Sequence, residues 1–169
     1  MGALCYNEPM KIVVFSDTHG NQALAAQALD LAGHADHIIH LGDETDDATF
    51  LEALSGITVT KVLGNCDFAT DTPREAMLVL EEKRFLLTHG DLYGVKAGLD
   101  KLSKRATAEK ADVVLYGHTH IQSVCTIDGV LYVNPGCLKK GYSEPSFALL
   151  SLEKGLLSAD IVPLHPTSP

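Results

Sequence analysis

Lys11-Ile12-Val13-Val14-Phe15-Ser16-Asp17-Thr18-His19-Gly20 is the stretch that decides the fold class. Lys11 to Phe15 is a continuous β-branched and aromatic run, the pattern of a strand buried on both faces. The run then breaks into a polar segment closed by glycine. Outward from it, Gln22 to about Ala32 reads as a helix capped by Asn21, with Leu24, Ala28 and Leu31 on one face. Asp36-His37-Ile38-Ile39-His40-Leu41 is a second strand and ends in Gly42-Asp43. A short helix from about Asp47 to Leu54, with Thr45 or Asp46 as its cap, leads to a third strand from Ile57 to Val62. That strand too ends on glycine, in Gly64-Asn65-Cys66-Asp67. Strand alternating with helix implies parallel pairing through right-handed crossovers. In such sheets ligands bind beyond the carboxyl ends of the strands, where polar residues have now appeared three times.

The second half turns to hairpins. Met77–Leu80 and Arg84–Thr88 are joined by Glu81-Glu82-Lys83, and the second of them ends in His89-Gly90-Asp91. A long helix is expected from about Val95 to Lys110, with Val95, Leu99, Leu102 and Ala106 on one face. Its lysines and arginine read as a solvated face, helped by an Asp100–Lys104 pair. Val113 to Tyr116 runs into Gly117-His118-Thr119-His120, and two hairpins follow. One turns at Asp128-Gly129 and the other at Glu153-Lys154-Gly155. A βαβ-rich half and a hairpin-rich half fit an α/β fold: a two-sheet β-sandwich flanked by helices, with a site along one common edge. Residues 1–169 are expected to form one domain, with 1–10 and 163–169 as tails.

The totals agree with a soluble globular chain. At 169 residues it can bury about 70% of its unfolded surface, and 46% hydrophobic with 21% charged residues is ordinary. A net charge of −9 argues against a long contact with nucleic acid or an anionic membrane. It leaves room for a small phosphate substrate, because bound divalent cations invert the local charge. Cys5, Cys66, Cys125 and Cys137 form no metal or disulfide spacing. No signal segment or membrane-length apolar run is present, so the expectation is a cytoplasmic protein with reduced thiols.

The strand ends collect Asp17, His19, Asp43, Asn65, Cys66, Asp67, His89, His118 and His120. All but the thiol are types that bind a divalent metal through oxygen or nitrogen. Asp17 and His19 share the i, i+2 spacing of His118 and His120, which in an extended chain aims both members of a pair one way. Seven ligands (Asp17, His19, Asp43, Asn65, His89, His118 and His120) are too many for one ion and fit two that share a carboxylate. Two ions about 3.5–4 Å apart lower the pKa of a shared water and clamp an in-line displacement at phosphorus. A bridging anion must hold such a pair, and Asp43 is the natural candidate. The donor set favours Mn, Fe, Zn or Ni over Ca, with Mn²⁺ expected.

The ordered series Asp17-Thr18-His19, Gly42-Asp43, Gly64-Asn65-Cys66-Asp67, Thr88-His89-Gly90 and Gly117-His118-Thr119-His120 resembles the calcineurin-like metallophosphoesterase superfamily. The short chain and Asn134-Pro135-Gly136 resemble its small single-domain bacterial and archaeal phosphodiesterases, over about Lys11 to Leu150. The resemblance implies a four-layer fold. It implies one metal on Asp17, His19, Asp43 and His120, and a second on Asp43, Asn65, His89 and His118. It further implies attack on a small phosphodiester by a metal-bound hydroxide, with Asn65, Cys66, Asp67 and His118 as the catalytic candidates. Much of the superfamily has histidine where this chain has Cys66. That departure weakens a phosphomonoesterase reading, since an alkoxide leaving group needs a proton, and Cys66 itself reads as a bystander. Asp67 reads as a neighbour that orients the site. Cys137 stands where serine commonly follows Asn-Pro-Gly.

Two other functions are weighed. A retromer scaffold subunit uses this fold for protein binding and has lost part of the ligand set, whereas none of the seven positions is replaced here. A nuclease is disfavoured by the acidic charge. His34, His37, His40 and His165 read as surface or packing residues, Asp46 and Asp47 as helix-start charges, and Lys139-Lys140 as an exposed loop. Exposed hairpin edges would allow a homo-oligomer.

Overall fold

Side chains of β1 (Met10–Phe15) alternate between two separate cores, and that alternation sets the layering. Ile12 and Val14 point into a cluster shared with Phe85, Leu87, Leu115 and Val133 of a second sheet. Val13 and Phe15 point the other way, onto Ala25, Ala28, Ala48 and Leu51 of two helices. The computed structural model describes residues 8–68 and 71–165.

The first sheet also contains β2 (His37–His40), β3 (Val59–Lys61), β9 (Ser146–Glu153) and β10 (Leu156–Pro163), in the order β10-β9-β1-β2-β3. Its β1, β2 and β3 are parallel, and β9 and β10 are antiparallel additions. The second sheet has the order β4-β5-β6-β8-β7, from β4 (Glu75–Leu80), β5 (Lys83–Thr88), β6 (Val113–Leu115), β7 (Ser123–Ile127) and β8 (Val130–Asn134). Here β5, β6 and β8 are parallel neighbours. Helices α1 (Gln22–Ala32) and α2 (Thr45–Ser55) cover the outer face of the first sheet. Helix α3 (Asp100–Ala108) covers the second through Leu102 and Ala106, against Leu86, Val114 and Tyr132. The layers run helix, sheet, sheet, helix, as the alternation of strand types implies. Among the described residues no helix is long and apolar enough to cross a membrane.

Several local expectations are corrected. Helix α3 begins at Asp100 rather than near Val95, because Gly94 (φ +62°) and Gly98 (φ +143°) hold the chain outside helical space. Val95 and Leu99 reach the same core from the loop. The ion pair along α3 is Arg105–Glu109 at 2.7 Å. Arg105 also pairs with Glu75 of β4. On α1 the buried stripe is Ala25, Ala28, Leu29 and Ala32, while Leu31 is exposed; small side chains let this helix lie close to the sheet. Helix α2 starts two residues earlier than expected, at Thr45. Hairpin turns at Asp128-Gly129 and Lys154-Gly155 have positive φ at both positions, the geometry that suits the twist of the flanking strands.

Candidate metal centre

Five parallel strands end on the candidate ligands. Asp17 and His19 follow β1, Asp43 follows β2, and Asn65 follows β3. His89 follows β5, and His118 and His120 follow β6. The two sheets therefore contribute to one place. Asp17 Oδ1 lies 3.0 Å from His120 Nε2 and 3.8 Å from His19 Nε2. Asp43 Oδ2 lies 3.3 Å from His89 Nε2 and 3.9 Å from His19 Nε2, so one carboxylate faces both groups of donors. His89 Nε2 is 3.1 Å from Asn65 Oδ1 and 3.1 Å from His118 Nδ1, and the His19 and His120 Nε2 atoms are 3.4 Å apart. Asp17, His19 and His120 form one cluster of donor atoms, Asp43, His89 and His118 another, and His19, Asp43 and Cys66 a third between them.

The convergence does not come from extended chain. Asp17 (φ +53°), His19 (+47°), Asp43 (+53°), His118 (+68°) and His120 (+63°) are all left-handed. Each such residue costs roughly 1–2 kcal/mol, and the polar cross-bracing of the loops offsets it. Asp17 N donates to Gly42 O (2.9 Å), His19 N to Asp43 O (3.1 Å) and Gly117 N to His89 O (2.9 Å). Buried Asn134 donates to Gly117 O and Thr119 Oγ1, both at 3.0 Å, and accepts from Gly136 N at 3.0 Å. The Asn-Pro-Gly turn thus holds the segment between the two histidines. Close packing fixes the glycines: a Cβ at Gly64 would fall 2.0 Å from Asp43 Oδ1, and one at Gly117 would fall 1.9 Å from Ser16 Oγ.

The donor set fits a cation on its own geometry. His89 Nδ1 donates to Leu41 O at 2.8 Å, because a carbonyl can only accept. In the neutral ring Nε2 is then a bare lone pair, and it faces Asn65 Oδ1, Asp43 Oδ2 and His118 Nδ1. Asp17 Oδ1 is buried and accepts no hydrogen bond, although His120 Nε2 is close. Lone pairs crowded at such distances repel unless a proton or a metal ion sits among them. The electrostatics agree. Burial opposes ionisation of Asp43, yet His89 and the Cys66 N–H hold its carboxyl well below the usual carboxylate range. Burial likewise opposes ionisation of Asp17, and His120, His89, Ser16 and His118 outweigh it, leaving it lowered. Burial lowers His19 and His118, while at His89 the facing carboxylates outweigh burial and raise it.

Of the remaining motif residues, Asp67 supports the cluster from behind, while Cys66 both supports it through its backbone and faces it with its thiol. Asp67 Oδ2 accepts from Asp43 N (2.9 Å) and Gly64 N (2.7 Å), and its Oδ1 accepts from Thr45 N (2.7 Å). It ties two ligand loops together and caps α2 from a distant loop. Cys66 N donates to Asp43 Oδ1 at 2.8 Å. The exposed Cys66 thiol is pushed up to about 11 by lost hydration and by Asp43 beside it, so it stays protonated. Among the described cysteines, Cys66, Cys125 and Cys137 are free, and Cys5 lies outside the described residues.

Two buried polar residues, Asp47 and His40, brace the site from behind. Asp47 is buried, not a solvated helix-start charge, and its Oδ2 accepts from Gly20 N at 2.8 Å. His40 is fully buried. Its Nδ1 accepts from Gly42 N (3.2 Å), so Nε2–H donates to Thr18 Oγ1 (3.0 Å), linking two ligand loops. The signal was the pair His37 and His40 at opposite ends of β2, of which only His40 stands beside Gly42. Burial, outweighing the pull of Asp47, Asp67 and Asp17, lowers His40 to about 4. Below its ordinary pKa near 6.5 the unfolded chain gains a proton that the folded chain refuses. This contribution is complete above that pH and is lost on acidification, reaching about 3 kcal/mol by pH 4. Urea midpoints measured from pH 7 to 4.5 should fall less steeply in His40→Gln than in the wild type. Parallel curves would remove His40 as the cause.

Over residues 10–155 the chain matches the calcineurin-like phosphoesterase superfamily domain. The probable metallophosphoesterase YsnB of Bacillus subtilis is 36% identical over 147 residues, covering 85% of each chain. The phosphodiesterase YfcE of Escherichia coli is 29% identical over 167 residues, covering 83% of this chain and 87% of its own. Among solved structures, a conserved protein from Streptococcus pneumoniae TIGR4 described as a predicted phosphoesterase superposes with a TM-score of 0.79, at 26% identity and 95% coverage of both chains. A Vps29 from Entamoeba histolytica superposes at 0.68, with 20% identity and coverage of 92% and 100%, and shows the shared fold alone. The match along the ligand-bearing strands makes the assignment plain: the chain belongs to the calcineurin-like phosphoesterase superfamily.

Proposed function

We propose that this protein is a metal-dependent phosphodiesterase acting on a small phosphodiester. In this reading Asp17, His19, Asp43 and His120 hold one divalent ion, and Asp43, Asn65, His89 and His118 hold the other. The observation that supports it is the meeting of carboxylate, amide and imidazole donor atoms from both sheets around Asp43 and His89, at separations of 3.1–3.9 Å. Bound ions would supply a more acidic shared water and neutralise charge on the phosphoryl oxygens. The chain's own residues do the positioning. Leu41 O fixes the His89 tautomer, Cys66 N fixes the carboxylate rotation of Asp43, and Asp67 fixes the loops beneath both. Asn65 and His118 stand at the solvent side of the second group, within reach of an entering phosphate.

Manganese is the proposed ion, because mixed imidazole, carboxylate and amide donors suit Mn²⁺ better than Ca²⁺. The phosphodiesterase names of relatives such as YfcE support diester over monoester, as does the absence of a histidine beside Asn65. Free thiols support a reducing, cytoplasmic setting. The scaffold alternative has no replaced ligand position to rest on. Purified protein should contain or recruit two divalent ions by elemental analysis. It should cleave bis(p-nitrophenyl) phosphate at least about tenfold faster than the monoester. A protein that binds no ion at any concentration, or that prefers the monoester, would remove this reading.

A further inference from the structure

Beside the ligand cluster a cavity of 250 Å³ opens between the start of α1 and the loop after the Asn134-Pro135-Gly136 turn. Lys139 and Lys140 border it, with Asn21, Leu24, Tyr142 and Pro145. Its lining brings two cations and no carboxylate, on a chain whose net charge is −9. The cavity adjoins the metal centre at two points. Tyr142 stands edge-on to His120, with ring centroids 6.1 Å apart at 87°. Asn21 Nδ2 donates to Leu138 O at 2.8 Å, and Leu138 N donates to Asp17 O at 3.2 Å. The loop that presents the lysines is therefore tied to the segment that presents Asp17 and His19.

We infer that this cavity receives a second phosphate, carried on the part of the substrate beyond the scissile diester. Two lysines bordering a cleft lined by no carboxylate, beside a phosphate site, would give such a substrate an added charge-assisted contact. Tyr142, Leu24 and Pro145 would cover the apolar part of the group that carries it. The inference deepens the phosphodiesterase reading and rests on it for the word substrate, while binding can be read without turnover.

The test compares thymidine 3′,5′-bisphosphate with thymidine 5′-monophosphate as ligands of the Mn²⁺-loaded protein by calorimetry. The p-nitrophenyl 5′-esters of the same pair serve as substrates. Wild type should bind the bisphosphate about tenfold more tightly, and Lys139→Ala/Lys140→Ala should bring the two affinities together. Lys139→Arg/Lys140→Arg should keep the preference, since charge is retained. Equal affinities in the wild type, or a preference that survives the double alanine change, would overturn the inference. If neither ester is cleaved while the binding preference collapses as expected, the cavity stands and the phosphodiesterase reading falls.

Discussion

Asp43→Asn should leave a folded protein whose turnover is lower by about a thousandfold or more. The fold survives because the amide is isosteric. Its oxygen can still accept from Cys66 N, which lies 2.8 Å from Asp43 Oδ1. Its –NH₂ would replace Oδ2, 3.3 Å from His89 Nε2, and can donate to that bare lone pair. The chemistry does not survive, because the charge shared between the two donor groups is gone. Elemental analysis should show fewer than two ions per chain, and circular dichroism should be unchanged. Near-normal kcat/KM in this variant would exclude a bridging role for Asp43.

For Asp67→Ala the expected loss is in stability and ion affinity together. Its carboxylate satisfies Asp43 N, Gly64 N and Thr45 N at 2.9, 2.7 and 2.7 Å. Each orphaned N–H costs about 1–3 kcal/mol where water cannot reach it. Asp67 is partly exposed, so water recovers some of this, and a net loss of about 3 kcal/mol is expected in urea unfolding. Ion affinity should weaken about 10- to 100-fold, as for other residues that orient ligands from behind. Asp67→Asn keeps an acceptor and should fall between. A variant that loses turnover with unchanged stability and ion affinity would make Asp67 a participant in the reaction instead.

Much of this architecture is legible in the sequence. Buried runs such as Lys11–Phe15 marked parallel strands, and the donor residues at their ends marked the edge where a ligand belongs. What local periodicity could not carry was contact between distant segments. Asn21 stands at the N-cap position of α1 as expected but makes no side-chain cap hydrogen bond, its Nδ2 donating instead to Leu138 O, and the first N–H of α2 is satisfied by Asp67 rather than by a local side chain. Leu31 fits a helical stripe in spacing, yet the sheet selects the small residues one position around. His40 and Asp47 looked like ordinary polar residues because burial depends on which loops fold over them. The spacing of Asp17 and His19 suggested convergence for the wrong local reason. Left-handed turns, not extended chain, aim the pair.

The split origin of the candidate donors would make any ions they bind fasteners between the sheets as well as reagents. Each proposed set takes residues from both sheets: His120 joins Asp17, His19 and Asp43, and His89 and His118 join Asp43 and Asn65. Sliding one sheet over the other would tear both coordination shells. With both proposed ions bound, free ion concentration would set the grip between the layers, each tenfold rise above the dissociation constant adding about 1.4 kcal/mol per ion against unfolding. A cell that starves the enzyme of metal would weaken the sandwich at the same time as it silences the site.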